Sequence, residues 1–255
     1  MAWKQIIVRY KQSYLGIVWA VLKPVTLMLV FTLLNSFVAI NTSAIPYPVL
    51  AFTALLPWVF FQESISEGVS SVVSNAQLIR KIYFPREVFP LAGVVTKVVE
   101  FAISVVVLAL LMLYFGVVTS ATVLWVPLLL VYTILASLAV AFMGAALNVF
   151  YRDVGTMLPI LLQLMMYASP VIYPMSLVKQ KLLEQQVAGA WSPLLYDIYR
   201  LNPMAGIIDA FQRTVLFNQH PDFDVIFPGL IVVLVLLPIS FAVFKRAEKY
   251  FADIV

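Results

Sequence analysis

The sequence predicts an all-α integral membrane protein with six transmembrane helices, an N-terminal interfacial helix, a cytoplasmic helix between the second and third spans, and re-entrant helices on the outer side. Three observations predict it. Of 255 residues, 63% are apolar and 11% charged, and mean hydropathy is +1.01, outside the range of soluble globular chains. Several uncharged stretches are long enough to cross a hydrocarbon core of about 30 Å, which takes about 20 apolar residues. The basic residues collect on one side of the spans that these stretches define.

Residues 24–62 carry no charge and hold one helix, a turn at 41–48 and most of a second helix. Residues 101–151 likewise hold two helices with a turn at 116–122, the first of them beginning near Leu91. Residues 154–178 supply a fifth span, interrupted by Pro159, Pro170 and Pro174, and 225–244 the sixth. No cleavable signal segment precedes the first long span, so the N-terminus is expected to stay attached.

With both termini in the cytoplasm, eleven basic residues lie inside: Lys4, Arg9, Lys11, Lys23, Arg80, Lys81, Arg86, Arg152, Lys245, Arg246 and Lys249. Four lie outside, Lys179, Lys181, Arg200 and Arg213, in a segment that also holds five acids. The positive-inside rule therefore predicts a multi-pass protein of the cytoplasmic membrane with both termini inside. The net charge of +4 follows from topology and calls for no nucleic-acid partner.

Residues 1–14 are too short and too basic to span. They read as a helix lying on the cytoplasmic leaflet, where Lys4, Arg9 and Lys11 either meet anionic phosphates or simply anchor the chain. The second span carries Glu63 and Glu67 four residues apart on one helical face. That face is expected to turn toward a bundle interior, a hydrated path or another subunit, with a proton relay as the sharper alternative. Residues 75–83 form a short cytoplasmic helix stopped by Pro85, with Leu78, Ile79 and Ile82 on one side. In the third span Lys97 and Glu100 are placed to pair locally, and an Arg152–Asp153 pair is expected to lock the turn after the fourth.

Pro170 and Pro174 break the fifth span near the outer surface. Further on, Asn202 caps a helix with Pro203 in its first turn and Met204, Ile207, Ile208, Phe211 and Val215 on one face, read as re-entrant or as resting on lipid. The chain ends in a basic amphipathic tail, 244–255. No repeat or flexible linker divides it, so 1–255 is read as one transmembrane domain.

Chemistry is notable for what the sequence lacks. There is no cysteine, one histidine, no phosphate-cradling Gly-Lys loop and no metal-ligand or nucleophile motif. The chain is expected to bind no metal or cofactor and to hydrolyse nothing itself.

The segment NAQLIRKIYFPREVFPLA at 75–92 resembles the signature of type 2 ABC exporter permeases that move lipid-linked polysaccharides. RYKQSYLGIVW at 9–19, FYRDV at 150–154 and SPVIYP at 169–174 agree with it in order and spacing, so the resemblance covers essentially the whole chain. Eight residues precede Arg9, fewer than the family's usual leader, which implies a shortened interfacial helix. The resemblance implies export of O-antigen, teichoic acid or capsule by two copies of this chain and two separate ABC ATPase subunits, which hold the ATP and Mg. It makes 74–90 the coupling loop, with Asn75, Leu78, Arg80, Lys81, Tyr83, Phe84, Pro85, Arg86 and Glu87 as docking candidates, and 174–217 the outer gate region. Lys4, Arg9, Tyr10 and Lys11 become candidates for the head group of an undecaprenyl pyrophosphate-linked or similar carrier. Aromatic faces stack on sugar rings, so Trp58, Phe60, Phe61, Tyr132, Tyr167 and Tyr173 are candidate channel residues, or else ordinary core and belt aromatics.

Three rivals remain at this stage. They are a permease of the same superfamily for drugs or lipids, a membrane-embedded transferase, and an ion-coupled transporter using Glu63 and Glu67.

Overall fold

A computed structural model describes residues 18–38, 45–81 and 85–254, all helical or in short connections. The interfacial segment with Lys4, Arg9, Tyr10 and Lys11 lies outside the described residues, as do Tyr83, Phe84 and the side chains of Arg80 and Lys81.

The helices follow the apolar stretches. They are α1 (Val18–Val38), α2 (Tyr47–Ser74), α3 (Ala76–Lys81), α4 (Val88–Phe115), α5 (Val126–Phe150), α6 (Asp153–Tyr167), α7 (Met175–Lys179), α8 (Ser192–Arg200), α9 (Pro203–Val215), α10 (Phe223–Ala247) and α11 (Phe251–Ile254). Among the described residues, four helical stretches are long and apolar enough to cross a membrane: Tyr47–Ser74, Val88–Phe115, Ala121–Phe150 and Phe223–Tyr250. Two shorter apolar helical stretches, Val21–Phe37 and Asp153–Tyr167, accompany them.

Local chemistry sets the ends. Pro48 sits in the first turn of α2, where its missing N–H costs nothing. At the other end the Asn75 side chain donates to the Ser71 carbonyl at 2.7 Å. α4 closes on Gly116, which takes a left-handed φ of 69° and returns its N–H to Leu113 and Met112. Along α2, the hydroxyls of Thr53, Ser66, Ser70, Ser71 and Ser74 donate to carbonyls three or four residues back, so the helix carries them with their donors satisfied.

The core is built around α2, whose long sides pack against α4 and α5, with α1 and α9 on its remaining flanks. The lipid-side faces stay open: Leu29, Leu33 and Phe37 of α1, Leu110 and Leu113 of α4, and Ile231 and Leu234 of α10 are all exposed.

Three expectations change. The fifth span is a helix of 15 residues, because Ser169–Pro170 cannot continue it. At about 1.5 Å per residue it is shorter than a hydrocarbon core. Arg152 and Asp153 are both exposed and form no ion pair with each other. Buried Asn148 does the locking instead, donating to the Val69 carbonyl at 3.2 Å and accepting the Gly155 N–H at 3.0 Å. Finally, α9 does not rest on a lipid surface. Eleven of its residues are buried, including Gln212 and Thr214 on the flanks of the predicted apolar face and Asp209 behind it.

Candidate functional site

Three regions carry the polar chemistry of the described chain. The first is the loop between α2 and α4, expected on the cytoplasmic side. α3 leaves α2 at Asn75 and turns Ile79 into the core, with Leu78 packed against it. Leu78 is therefore spent on this chain's own packing. Gln77 of α3 is exposed, as is Pro85 beyond its end. Arg86 and Glu87, expected as docking groups, bond within the chain to the C-terminal tail. Arg86 donates its backbone N–H to Glu248 Oε1 at 3.1 Å and its guanidinium to the Glu248 carbonyl. Lys245 Nζ lies 2.8 Å from Glu87 Oε2 and 2.9 Å from Glu248 Oε2. Partial burial works to raise the Glu87 carboxyl, but the Lys245 ammonium bonded to it and its own backbone N–H outweigh that and hold it below the usual glutamate value. A carboxyl depressed on folding stabilises above its unfolded pKa of about 4.3 and loses that contribution as pH falls through the folded value. The tie is thus complete at neutral pH.

The second region lies between α1, α2 and α4. Glu63 of α2 pairs with Lys23 of α1 and lies 3.5 Å from Lys97 of α4, which also bonds Glu100 at 3.0 and 3.1 Å. The local Lys97–Glu100 pair was legible from its spacing; the links to Glu63, 40 and 34 residues away along the chain, were not. Lys97 is 4% exposed, whereas the side chains of Lys23, Glu63 and Glu100 keep 43%, 30% and 21%. A small cavity with Pro24, Phe60, Phe101 and Ser104 in its wall adjoins the cluster. Glu67, one turn further along α2, is half-buried. Charges so placed do not face hydrocarbon bare; they call for water or another protein surface beside them.

The third region is the segment between α6 and α10, expected on the outer side. The break after α6 is pinned at two points, by the Tyr47 hydroxyl donating to the Ile172 carbonyl at 2.9 Å and by Asn202 Nδ2 donating to Ser169 Oγ at 2.8 Å. Asn202 Oδ1 accepts the Met204 N–H at 3.0 Å, the predicted cap. Met175, Val178, Tyr196 and Val225 form a small separate core beneath α8. It is α8, not α9, that shows an open apolar face, with Leu194, Leu195 and Ile198 exposed.

The six channel aromatics divide. Trp58, Phe60, Phe61 and Tyr132 are buried in this chain's own core, Trp58 against Phe61 at 5.8 Å and Phe60 against Phe101 at 5.6 Å. Tyr167 is half exposed, and the half-buried Tyr173 donates its hydroxyl to the Tyr167 carbonyl at 3.1 Å. Among the described residues no group of acids and histidine is placed to hold a metal ion.

Residues 1–217 match the family described as ABC-2 type transporter. The O-antigen export system permease protein RfbA of Myxococcus xanthus is 30% identical to this chain over 251 residues, covering 98% of this chain and 92% of that protein. A protein of the same description from Klebsiella pneumoniae is 27% identical over 253 residues, again covering 98% and 92%. The similarity takes in the loop, the membrane charges and the outer segment alike. With four long apolar helices among its described residues, one of them the buried α2, this multi-pass membrane protein belongs to the ABC-2 type transporter family.

Proposed function

We propose that this chain is the channel-forming subunit of an ATP-driven exporter that moves a lipid-linked polysaccharide, O-antigen first, across the cytoplasmic membrane. The observation that carries this reading is the near full-length similarity to O-antigen export permeases of two organisms. Teichoic acid and capsule remain the alternatives within the same chemistry, since nothing in the chain names the sugar.

In this reading α1 and α6 complete six spans, and both termini face the cytoplasm because the basic residues do. Two copies assemble with two ABC ATPase subunits, which supply the ATP site, its Mg and the hydrolysis. The part-exposed cluster of Lys23, Glu63 and Glu100 supports a second copy or a hydrated path beside it, as bare lipid would not accommodate it. The 74–90 loop docks the ATPase through Arg80, Lys81, Tyr83 and Phe84, while Asn75, Arg86 and Glu87 hold it. Closure of the ATPases on ATP moves the loops, the paired permeases part, and a glycan on an undecaprenyl pyrophosphate-type carrier passes. Lys4, Arg9, Tyr10 and Lys11 receive its head group at the inner leaflet. Residues 174–217, with α9 dipping into the protein interior, form the outer gate, and Tyr167 and Tyr173 stand beside it to stack on sugar.

Affinity purification from the native host tests this. An ABC ATPase is expected to accompany the chain, and Arg80→Ala with Lys81→Ala is expected to reduce its recovery about tenfold or more, the loss of roughly 1.4 kcal/mol of docking. Recovery of the folded chain with no ATPase would favour an ion-coupled transporter or a transferase.

A further inference from the structure

The loop's ties to the C-terminal tail suggest more than local packing. The tail comprises the last turns of α10, a tight turn at Glu248–Tyr250, and α11. Glu248 sits at its centre and takes three donors: the Arg86 backbone N–H, the Arg86 guanidinium and the Lys245 ammonium. Lys245 carries the connection on to Glu87. Phe251 anchors the arrangement. It is fully buried, lies 5.3 Å from Phe244 and 6.5 Å from Phe150, and has the Arg86 guanidinium carbon 6.0 Å above its ring.

A single exposed ion pair would weigh little. Here a charge network is fixed on a buried aromatic, and it joins positions 162 residues apart. α10 then runs 25 residues to the opposite side of the protein. There its first turns meet α9 so closely that a Cβ on Gly206 would come within 3.0 Å of Ile226 Cα and Val225 O. Backbone packed on backbone leaves little slack for the two helices to move apart. One helix therefore touches the cytoplasmic loop at one end and the buried outer helix at the other.

We propose that the C-terminal tail clamps the coupling loop to the last span, so that displacement of α3 is delivered through α10 to α9. Arg86, Glu87, Lys245 and Glu248 are positioning residues of this linkage. The inference rests on the reading of the chain as an ABC permease, and it adds a route by which the loop reaches the outer segment without passing through α2 or α4.

The chain has no cysteine, so the clamp can be cut and restored at will. In the complex with its ATPase in lipid vesicles, Glu87→Cys with Lys245→Cys removes the bridge, and a short bis-maleimide linker replaces it. Transport per ATP hydrolysed is expected to fall at least about fivefold in the double variant, the lower end of a typical coupling free energy, and to return on cross-linking. Glu87→Gln, which keeps volume and the start of α4, is expected to lower the same ratio less, and this variant carries the test if the double variant does not fold. A merely structural role would lower the yield or melting point and leave the ratio alone. An unchanged ratio in both variants, or a loss that the linker does not repair, overturns the clamp. If the unaltered chain binds no ATPase at all, the exporter reading itself fails.

Discussion

Replacing Lys97 with methionine is expected to lower stability by roughly 3–5 kcal/mol, the usual penalty for removing one partner from a buried charge group. Lys97 is buried and bonds both oxygens of Glu100 while approaching Glu63. Without it Glu100 loses the ammonium bonded to both its oxygens, and Glu63 loses the second of its two cations while keeping Lys23. Both acids are only part-exposed, so hydration recovers part of the loss at most, and protonation or local rearrangement makes up the rest. Thermal unfolding in nanodiscs measures the effect. Adding Glu100→Gln to Lys97→Met should recover part of the loss, because the stranded charge is then removed as well. A melting point for Lys97→Met equal to that of the unaltered protein would show that the cluster is hydrated and of no structural weight.

The second large effect belongs to the contact between α2 and α4. A Cβ on Gly93 would lie 3.1 Å from Gly68 N and 3.2 Å from Glu67 C and Gly68 Cα, all backbone atoms that cannot rotate away. A Cβ on Gly68 would meet Ala141 Cβ at 2.7 Å, so the same point of α2 is pinched between α4 and α5. Membrane helices gain little from excluding lipid and associate through close packing of small residues, which makes such contacts the main source of their cohesion. Gly93→Ala is expected to cost about 1–3 kcal/mol by overpacking, and Gly93→Leu to prevent assembly of the native bundle. Resistance to detergent unfolding, followed by size-exclusion chromatography, distinguishes the two. A Gly93→Leu protein that elutes and melts like the parent would mean that α2 and α4 do not approach as described.

How much of this was legible in the sequence depends on the kind of information each feature uses. Long uncharged stretches announced α2, α4, α5 and α10, because the energy of placing a residue in lipid is a property of the residue itself. The Asn202 cap and the Lys97–Glu100 pair were legible for a similar reason, since both are made by neighbours along one helix. The aromatics were not. Lipid and protein core have nearly the same polarity, so the pattern that separates inside from outside in a soluble helix is weak here, and Trp58, Phe60, Phe61 and Tyr132 gave no sign of being buried. For α9 the apolar face was found and its full burial missed, because the residues behind and beside it, Asp209, Gln212 and Thr214, look like a solvated face. Asp209 is matched instead by Arg213 at 2.7 Å, one turn along the helix. The links from Lys23 to Glu63, from Arg86 to Glu248 and from Asn148 to Val69 join residues 40, 162 and 79 apart, and only the fold brings them together.

The loop region illustrates how the two kinds of information combine. Its residue order pointed to a coupling element, and its geometry divides that element into a base, where Asn75, Arg86 and Glu87 bond to this chain, and a short helix whose inner face holds Leu78 and Ile79. The division matters for mutagenesis. On the proposed function, changes at Arg80 and Lys81 test docking, whereas changes at Arg86 or Glu87 test the clamp.

The most direct test of the central claim is transport itself. The chain, reconstituted with its ATPase in vesicles loaded with a pyrophosphate-linked glycan, is expected to move the glycan across the bilayer only when ATP is supplied on the ATPase side, and to do so in the absence of any ion gradient. Movement that proceeds without ATP, follows an imposed proton or sodium gradient and stops with Glu63→Gln would contradict the account and establish an ion-coupled transporter in its place.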